Sequence, residues 1–172
     1  GSIPTDHEAF DEAEKSVKGQ IEKFINNKGS KPVDYYHRKL GLIMWDKCGM
    51  ARNEQGLKSA IKEIQALRKE FHEEVVVPGS ANELNPELEK ALRVADFLEL
   101  GELMCRDALE RNESAGGHFR EEYQTEDGEA KRDDENFAFA SCWKFTGIPS
   151  EAELIKEELT FENVELKTRS YK

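Results

Sequence analysis

Asn85-Pro86 opens a long helical pattern, and a helix of that length constrains what can be built around it. Asparagine at an N-cap accepts a free backbone N–H, and proline at the first helical position gives up no intrahelical bond. Leu88, Leu92, Ala95, Leu98 and Leu103 then carry an apolar stripe to about Asn112. A helix draws most of its stability from burying such a stripe against other elements, so partner helices are required. Gly101 inside the pattern predicts a bend or a close crossing.

Three partners are legible upstream. Thr5 and Glu8 fit a capping box for a segment from about Asp6 to Asn27. Its stripe is Phe10, Ala13, Val17, Ile21, Phe24 and Ile25, and Asn27-Lys28-Gly29 reads as a stop with glycine in the left-handed cap. A second helix opens near Pro32 with Tyr36, Leu40, Ile43 and Met44, has Trp45 and Cys48 nearby, and ends at Gly49. Asn53 caps a third, which carries Leu57, Ile61, Ile64, Leu67 and Phe71 until Val75-Val76-Val77-Pro78-Gly79 breaks the pattern. Residues 3–112 therefore read as a three- to four-helix up-down bundle, and the fold class as mainly α.

The character changes after Asn112. The stretch Glu113 to Phe137 places Gly116 and Gly117 side by side, then His118, Phe119 and Arg120, and later the charge block Arg132-Asp133-Asp134-Glu135-Asn136. Two glycines open backbone conformations closed to other residues, and the ring, apolar anchor and cation behind them suggest a docking loop. From Phe137 to Phe145 the residues alternate as in a strand, with Phe137, Phe139, Ser141, Trp143 and Phe145 on one parity. Gly147-Ile148-Pro149-Ser150 interrupts, and Leu159 to Lys167 alternates again, so the two segments are expected to pair as a hairpin. Residues 113–172 are read as a C-terminal irregular loop and small β-hairpin packing on the bundle. An isolated hairpin is marginal in water, so its aromatic face must cover the helices or a partner.

Charge and chemistry narrow the function. The 172 residues carry a formal net charge of −11, which opposes nucleic-acid binding and docking on anionic lipid. The three cysteines, Cys48, Cys105 and Cys142, have no C-x-x-C spacing, and free thiols fit a reducing cytosolic compartment. No signal peptide or membrane-spanning run is present, and Gly1-Ser2 reads as the scar of a cleaved expression tag.

No active site can be assembled from the residues. His72-Glu73 begins like a zinc-protease motif, but Val76 stands where the second histidine is needed. Ser114 and His118 share a segment without an orienting acid, and no G-x-S-x-G, G-x-G-x-x-G or phosphate-binding loop occurs. Asp133-Asp134-Glu135 lacks calcium-loop spacing and reads as a solvated or cap-forming run. Catalytic, cofactor-binding and metal residues are each expected to be absent, leaving an interaction module or a piece of something larger.

The residues Glu113-Ser114-Ala115-Gly116-Gly117-His118, then Arg132-Asp133-Asp134-Glu135-Asn136-Phe137, then Arg169-Ser170-Tyr171 resemble the C-terminal region of the flavoprotein subunit of fumarate reductases and succinate dehydrogenases. That family's usual pattern is E-S-R-G-x-H, R-D-D-x-N-[FW] and a terminus close to R-x-Y. Ile43-Met44-Trp45, Gly49-Met50-Ala51-Arg52 and Asn53 to Leu57 resemble the start of its helical domain. Ala115 departs from the family, because a methyl group replaces its usual arginine, and Arg120 is the candidate to cover the loss. Thr125–Ala130 and Pro149–Lys156 look inserted.

The resemblance implies a parent that moves a hydride between FAD and the succinate/fumarate pair, with electrons passing to an iron–sulfur subunit and a membrane quinone site. The FAD fold and dicarboxylate residues of that family precede this region. The chain itself is therefore expected to be a non-catalytic helical buttress without its own cofactor. Gly116, Gly117, His118 and Arg120 are its candidates for docking on the flavin domain of the same subunit or on the iron–sulfur subunit. The implied location is cytoplasmic, peripheral to the inner membrane, with any membrane anchor reached only indirectly. Two other readings are a free-standing helical interaction module and the C-terminal domain of an L-aspartate oxidase, which shares the E-S-R-G-x-H element.

Overall fold

A computed structural model describes residues 4–147 and 149–167. Helices α2 (Val33–Cys48), α3 (Glu54–Glu74) and α4 (Pro86–Glu110) pack mutually and build the core. The α3 stripe is buried throughout, from Leu57 to Phe71. Tyr36 and Leu40 meet it from α2, and Val94 and Leu98 from α4. Local chemistry sets the helix starts: Asn53 Oδ1 accepts from Gly56 N at 2.7 Å, and Asn85 Oδ1 accepts from Leu88 N at 3.1 Å. The mainly α class holds, with a small antiparallel hairpin at the C-terminal end.

Gly101 marks a close crossing. A Cβ there would stand 3.2 Å from Leu40 Cδ1 and 3.4 Å from Met44 Sδ, so α2 and α4 approach where a side chain is missing. The α4 stripe is also rotated from the expected one. Ala91, Val94, Cys105 and Ala108 are buried with Leu98, while Leu88, Leu92 and Ala95 are only partly covered. Small residues face inward because the crossing is tight.

Helix α1 (Glu8–Asn26) differs most from its pattern. His7, rather than Thr5, caps it, with Nδ1 accepting from Ala9 N at 3.2 Å. Only Phe24 of its stripe is buried, and Phe10 and Val17 are exposed, because the helix meets the body only through its C-terminal end. Trp45 on α2 likewise faces outward, 81% exposed.

Gly29 stops α1 for a different reason from the one expected. It is absent from the left-handed glycines, and a Cβ on it would fall 2.0 Å from the Glu74 carbonyl oxygen. That oxygen accepts from Ser30 N at 3.0 Å, beside a two-residue parallel ladder of β1 (Lys31–Pro32) on β2 (Val75–Val76). Close backbone approach, not cap geometry, requires glycine there.

The hairpin is built from β3 (Phe139–Lys144) and β4 (Glu153–Glu158). The expected second strand, Leu159 to Lys167, is irregular. Trp143 pairs with Leu154 and Phe139 with Glu158, so the nearer segment takes the partner position after the turn at Pro149–Glu151. The connection from β3 to Glu153 is shorter than the one to Leu159, and a shorter connection favours local pairing. Phe137 lies in a short helix, α5 (Asp134–Phe137), rather than in the strand. Trp143 Nε1 donates to Asp107 Oδ1 at 2.8 Å, anchoring the hairpin on α4.

Candidate functional site: a clasp across two helix ends

The segment from Arg111 to Tyr123 folds back over the end of α4. Helix C-termini leave carbonyls without intrahelical donors, and cations are favoured there. Arg120 supplies both: its guanidinium is 1% exposed, and Nη1 donates to the carbonyls of Ala108 at 2.9 Å and Leu109 at 3.2 Å. His118 adds a third contact, with Nε2 at 2.9 Å from the Arg111 carbonyl.

The same segment reaches the start of α3. Arg52 N donates to the Phe119 carbonyl at 3.0 Å, and Glu121 N donates to the Arg52 carbonyl at 2.8 Å. Glu122 Oε1 accepts from the first α3 residue, Glu54 N, and Glu121 Oε2 accepts from Asn53 Nδ2 at 2.7 Å. Carboxylates at a helix N-terminus meet its free N–H groups and the positive end of its dipole. Arg120 Nε donates to Glu122 Oε2 at 3.1 Å, so one cation and one anion join the end of α4 to the start of α3.

His118 holds one defined tautomer. A guanidinium only donates, so Nδ1, 3.1 Å from Arg52 Nη1, must accept, and Nε2 must carry the proton given to Arg111. Burial lowers the pKa of His118, the Arg111 carbonyl contact pulls the other way, and the charges of Arg52, Arg120 and Arg111 add to the lowering. For Glu122, burial would raise the pKa. The N–H of Glu54, its own N–H and Arg120 outweigh it and hold the carboxyl below its usual range.

Ser114 closes the loop internally. Its hydroxyl donates to the Arg120 carbonyl at 3.1 Å and accepts from Arg120 N at 2.8 Å. Ser114 and His118 are thus spent on separate structural partners and form no nucleophile–base pair. Ala115 and His118 exchange backbone bonds of 2.9 and 3.0 Å around Gly116-Gly117. Of these two glycines Gly116 takes positive φ, at 58°, and both face open space at the tip.

Arg111 ties the tail to this clasp. It donates to Glu113 Oε1 at 2.8 Å and to the carbonyls of Phe137 at 3.0 Å and Phe139 at 2.9 Å. The other Glu113 oxygen accepts from Asp133 N at 2.9 Å. Asp133 then caps α5 by accepting from Asn136 N, the cap-forming role expected of the acidic run. Arg111 and Glu122 were not singled out in the sequence, since their partners at Phe137, Phe139 and Glu54 lie far along the chain.

Of the candidate docking residues, Gly116 and Gly117 lie at an exposed tip and His118 is half-buried, whereas Arg120 points inward. The other sequence candidates stay apart. His72 stacks on Phe24 with centroids 6.0 Å apart, burial lowers its pKa, and its Nδ1 has no hydrogen-bond partner. Among the described residues no three metal-ligating side chains converge, and no helix is long and apolar enough to cross a membrane.

Residues 37–171, which contain the whole clasp, match the family described as fumarate reductase flavoprotein C-term. The chain belongs to this family.

Among similar proteins of the fumarate reductase flavoprotein group is the fumarate reductase flavoprotein subunit of Proteus vulgaris. It is 26% identical over 136 residues, covering 79% of this chain and 22% of that protein. The L-aspartate oxidase of Vibrio cholerae is 35% identical but over only 85 residues, 49% of this chain and 15% of that protein. A solved quinol fumarate reductase of Escherichia coli shares the fold, with a TM-score of 0.75 at 19% identity over 98% of this chain and 27% of that one. The chain thus spans about a fifth of the length of the curated relatives it matches.

Proposed function

We propose that this chain is the non-catalytic C-terminal structural domain of a fumarate reductase or succinate dehydrogenase flavoprotein subunit. The parent would interconvert succinate and fumarate with FAD and pass electrons to an iron–sulfur subunit and a quinone. The family match supports this reading, and one structural observation carries it. In the stretch most characteristic of the family, the side chains of Ser114, His118, Arg120 and Glu122 are committed to the chain's own helix ends and backbone. Such a stretch shapes a surface and performs no chemistry.

The residues present do not fit a flavin. Gly116 and Gly117 open onto empty space at a turn tip, and among the described residues no strand-to-helix glycine turn forms a pyrophosphate cradle. FAD is assigned to the parent alone.

Docking on the flavin domain or the iron–sulfur subunit would use the Gly116-Gly117 tip and the edge of His118, with Arg120 as the internal anchor that holds the tip in place. The location would be cytoplasmic, at the inner membrane through the complex. The broader coverage of the fumarate reductase relative favours this branch over L-aspartate oxidase.

The test compares the 172-residue chain with the full product of its gene. The full product is expected to show the visible flavin band and to reduce fumarate, and the shorter chain to do neither. A stoichiometric flavin spectrum on the shorter chain overturns the reading, as does a gene that encodes nothing upstream of Ile3.

A further inference from the structure

The C-terminal end of α1 meets α3 and α4 around a cleft of about 440 Å³. Small-molecule sites run from roughly 300 to 1,000 Å³. The charged lining divides by element. Lys23 of α1 stands with Arg68 and His72 of α3, whereas α4 contributes Asp96 and Glu99, three residues apart on one face. Phe24 and Leu92 add apolar lining. None of these side chains takes part in the clasp.

These charges are unspent. Lys23, Asp96 and Glu99 have no hydrogen bond or ion pair among the described residues, so no ion pair joins the two sides of the cleft. Arg68 Nη1 stands 2.9 Å from Glu102 Oε2 but outside hydrogen-bonding geometry. Glu102 is shared with Arg106 at 2.7 Å, so one buried carboxylate faces two guanidinium groups and leaves a net positive charge. The two cations of the cleft lie close together. Burial lowers the pKa of His72, and the charges of Lys23 and Arg68 beside it add to the lowering.

We propose that this cleft binds a small zwitterion with an apolar side chain, a free amino acid or a short peptide. A simple anion is repelled by Asp96 and Glu99, and a simple cation by Lys23 and Arg68. A molecule carrying both charges satisfies both sides at once. Its carboxylate pairs with Lys23 and the planar fork of Arg68, its ammonium with Asp96 and Glu99, and its side chain with Phe24 and Leu92. Arg68 and Glu99 are half-buried and supply most of the affinity. Lys23 and Asp96 are exposed, so water and salt weaken their share.

The experiment titrates L-leucine and leucyl-leucine into the 172-residue chain by calorimetry at neutral pH. Saturable binding is expected, and the tighter of the two identifies the source. N-acetyl-L-leucine lacks the ammonium and L-leucinamide lacks the carboxylate. Each should bind about tenfold more weakly, the value of one charge-assisted hydrogen bond. Glu99→Gln should weaken the zwitterion by about tenfold and Lys23→Gln by about threefold, as befits a half-buried and an exposed partner. Neither side chain has a partner within the fold, so both variants should keep the melting temperature of the parent chain. Three results each overturn the proposal: no saturable binding of either zwitterion, a singly charged analogue that binds as tightly, or unchanged affinity in both variants.

Discussion

Arg120 and Glu122 stand two residues apart and pair at 3.1 Å, yet each serves the end of a different helix. The Arg120 guanidinium closes the C-terminal carbonyls of α4, and the Glu122 carboxylate closes the N-terminus of α3. One short segment therefore satisfies two opposite helix dipoles at once and fixes the ends of two core helices against each other.

Removing that cation should be costly. Arg120→Ala leaves one buried and one part-buried carbonyl without a donor and removes the partner of the exposed Glu122 carboxylate, and is expected to lose roughly 3 kcal/mol. Arg120→Lys keeps the charge but cannot span both carbonyls and Glu122 with one planar fork, so it should recover only part of the loss. Urea unfolding of the three proteins measures this, and an Arg120→Ala midpoint equal to that of the parent chain would show that the clasp contributes nothing.

Glu102 is fully buried on α4, with Arg106 at 2.7 Å, Arg68 at 2.9 Å and Gln65 at 2.9 Å. Glu102→Gln is expected to destabilise by about 2 kcal/mol, below the roughly 3–5 kcal/mol of a fully buried pair. The reason is that Arg68 and Arg106 retain 22% and 24% side-chain exposure and can rehydrate. Chemical denaturation reads the difference, and a stabilised Glu102→Gln protein would contradict it.

Stability should fall on the acid side of neutrality. Burial is the chief reason that the pKa values of both His118 and His72 are lowered in the fold. In the unfolded chain they titrate at about 6.5, so between that value and their depressed folded values the unfolded state binds more protons. Stability is complete above about pH 6.5, declines as pH falls through this window, and stops changing from this source below it. His118→Gln should remove one share of the slope while His72 keeps its own. Melting curves across that range test it, and an unchanged slope in His118→Gln would show that the fold does not depress the His118 pKa.

Two glycines should respond to alanine differently. Gly29→Ala drives a Cβ into the Glu74 carbonyl and must separate β1 from β2, at about 3 kcal/mol. Gly116→Ala meets open space and incurs only the left-handed backbone strain of about 1 kcal/mol. Thermal melts that rank the two substitutions equally, or in reverse, would show that the close approach at Gly29 has little energetic weight.

Features decided within a few residues were legible in the amino-acid order. Asn53 and Asn85 cap the N–H groups three residues ahead of them, and the α3 stripe repeats every turn, so those helices and the mainly α class could be read directly. The resemblance also held, because it rests on side chains in linear order. Contacts made across the chain were not legible. Alternation pointed to Leu159–Lys167 as the partner of β3, whereas the strand that pairs is the nearer Glu153–Glu158. Nothing near Gly29 reveals that the Glu74 carbonyl lies against it. Arg120 reads as an exposed docking cation until α4 ends beside it, and only there do two carbonyls without donors draw the guanidinium inward. Local hydrogen bonds and periodicity are written into neighbouring residues, whereas the destination of a long charged side chain depends on which helix end the fold brings within reach.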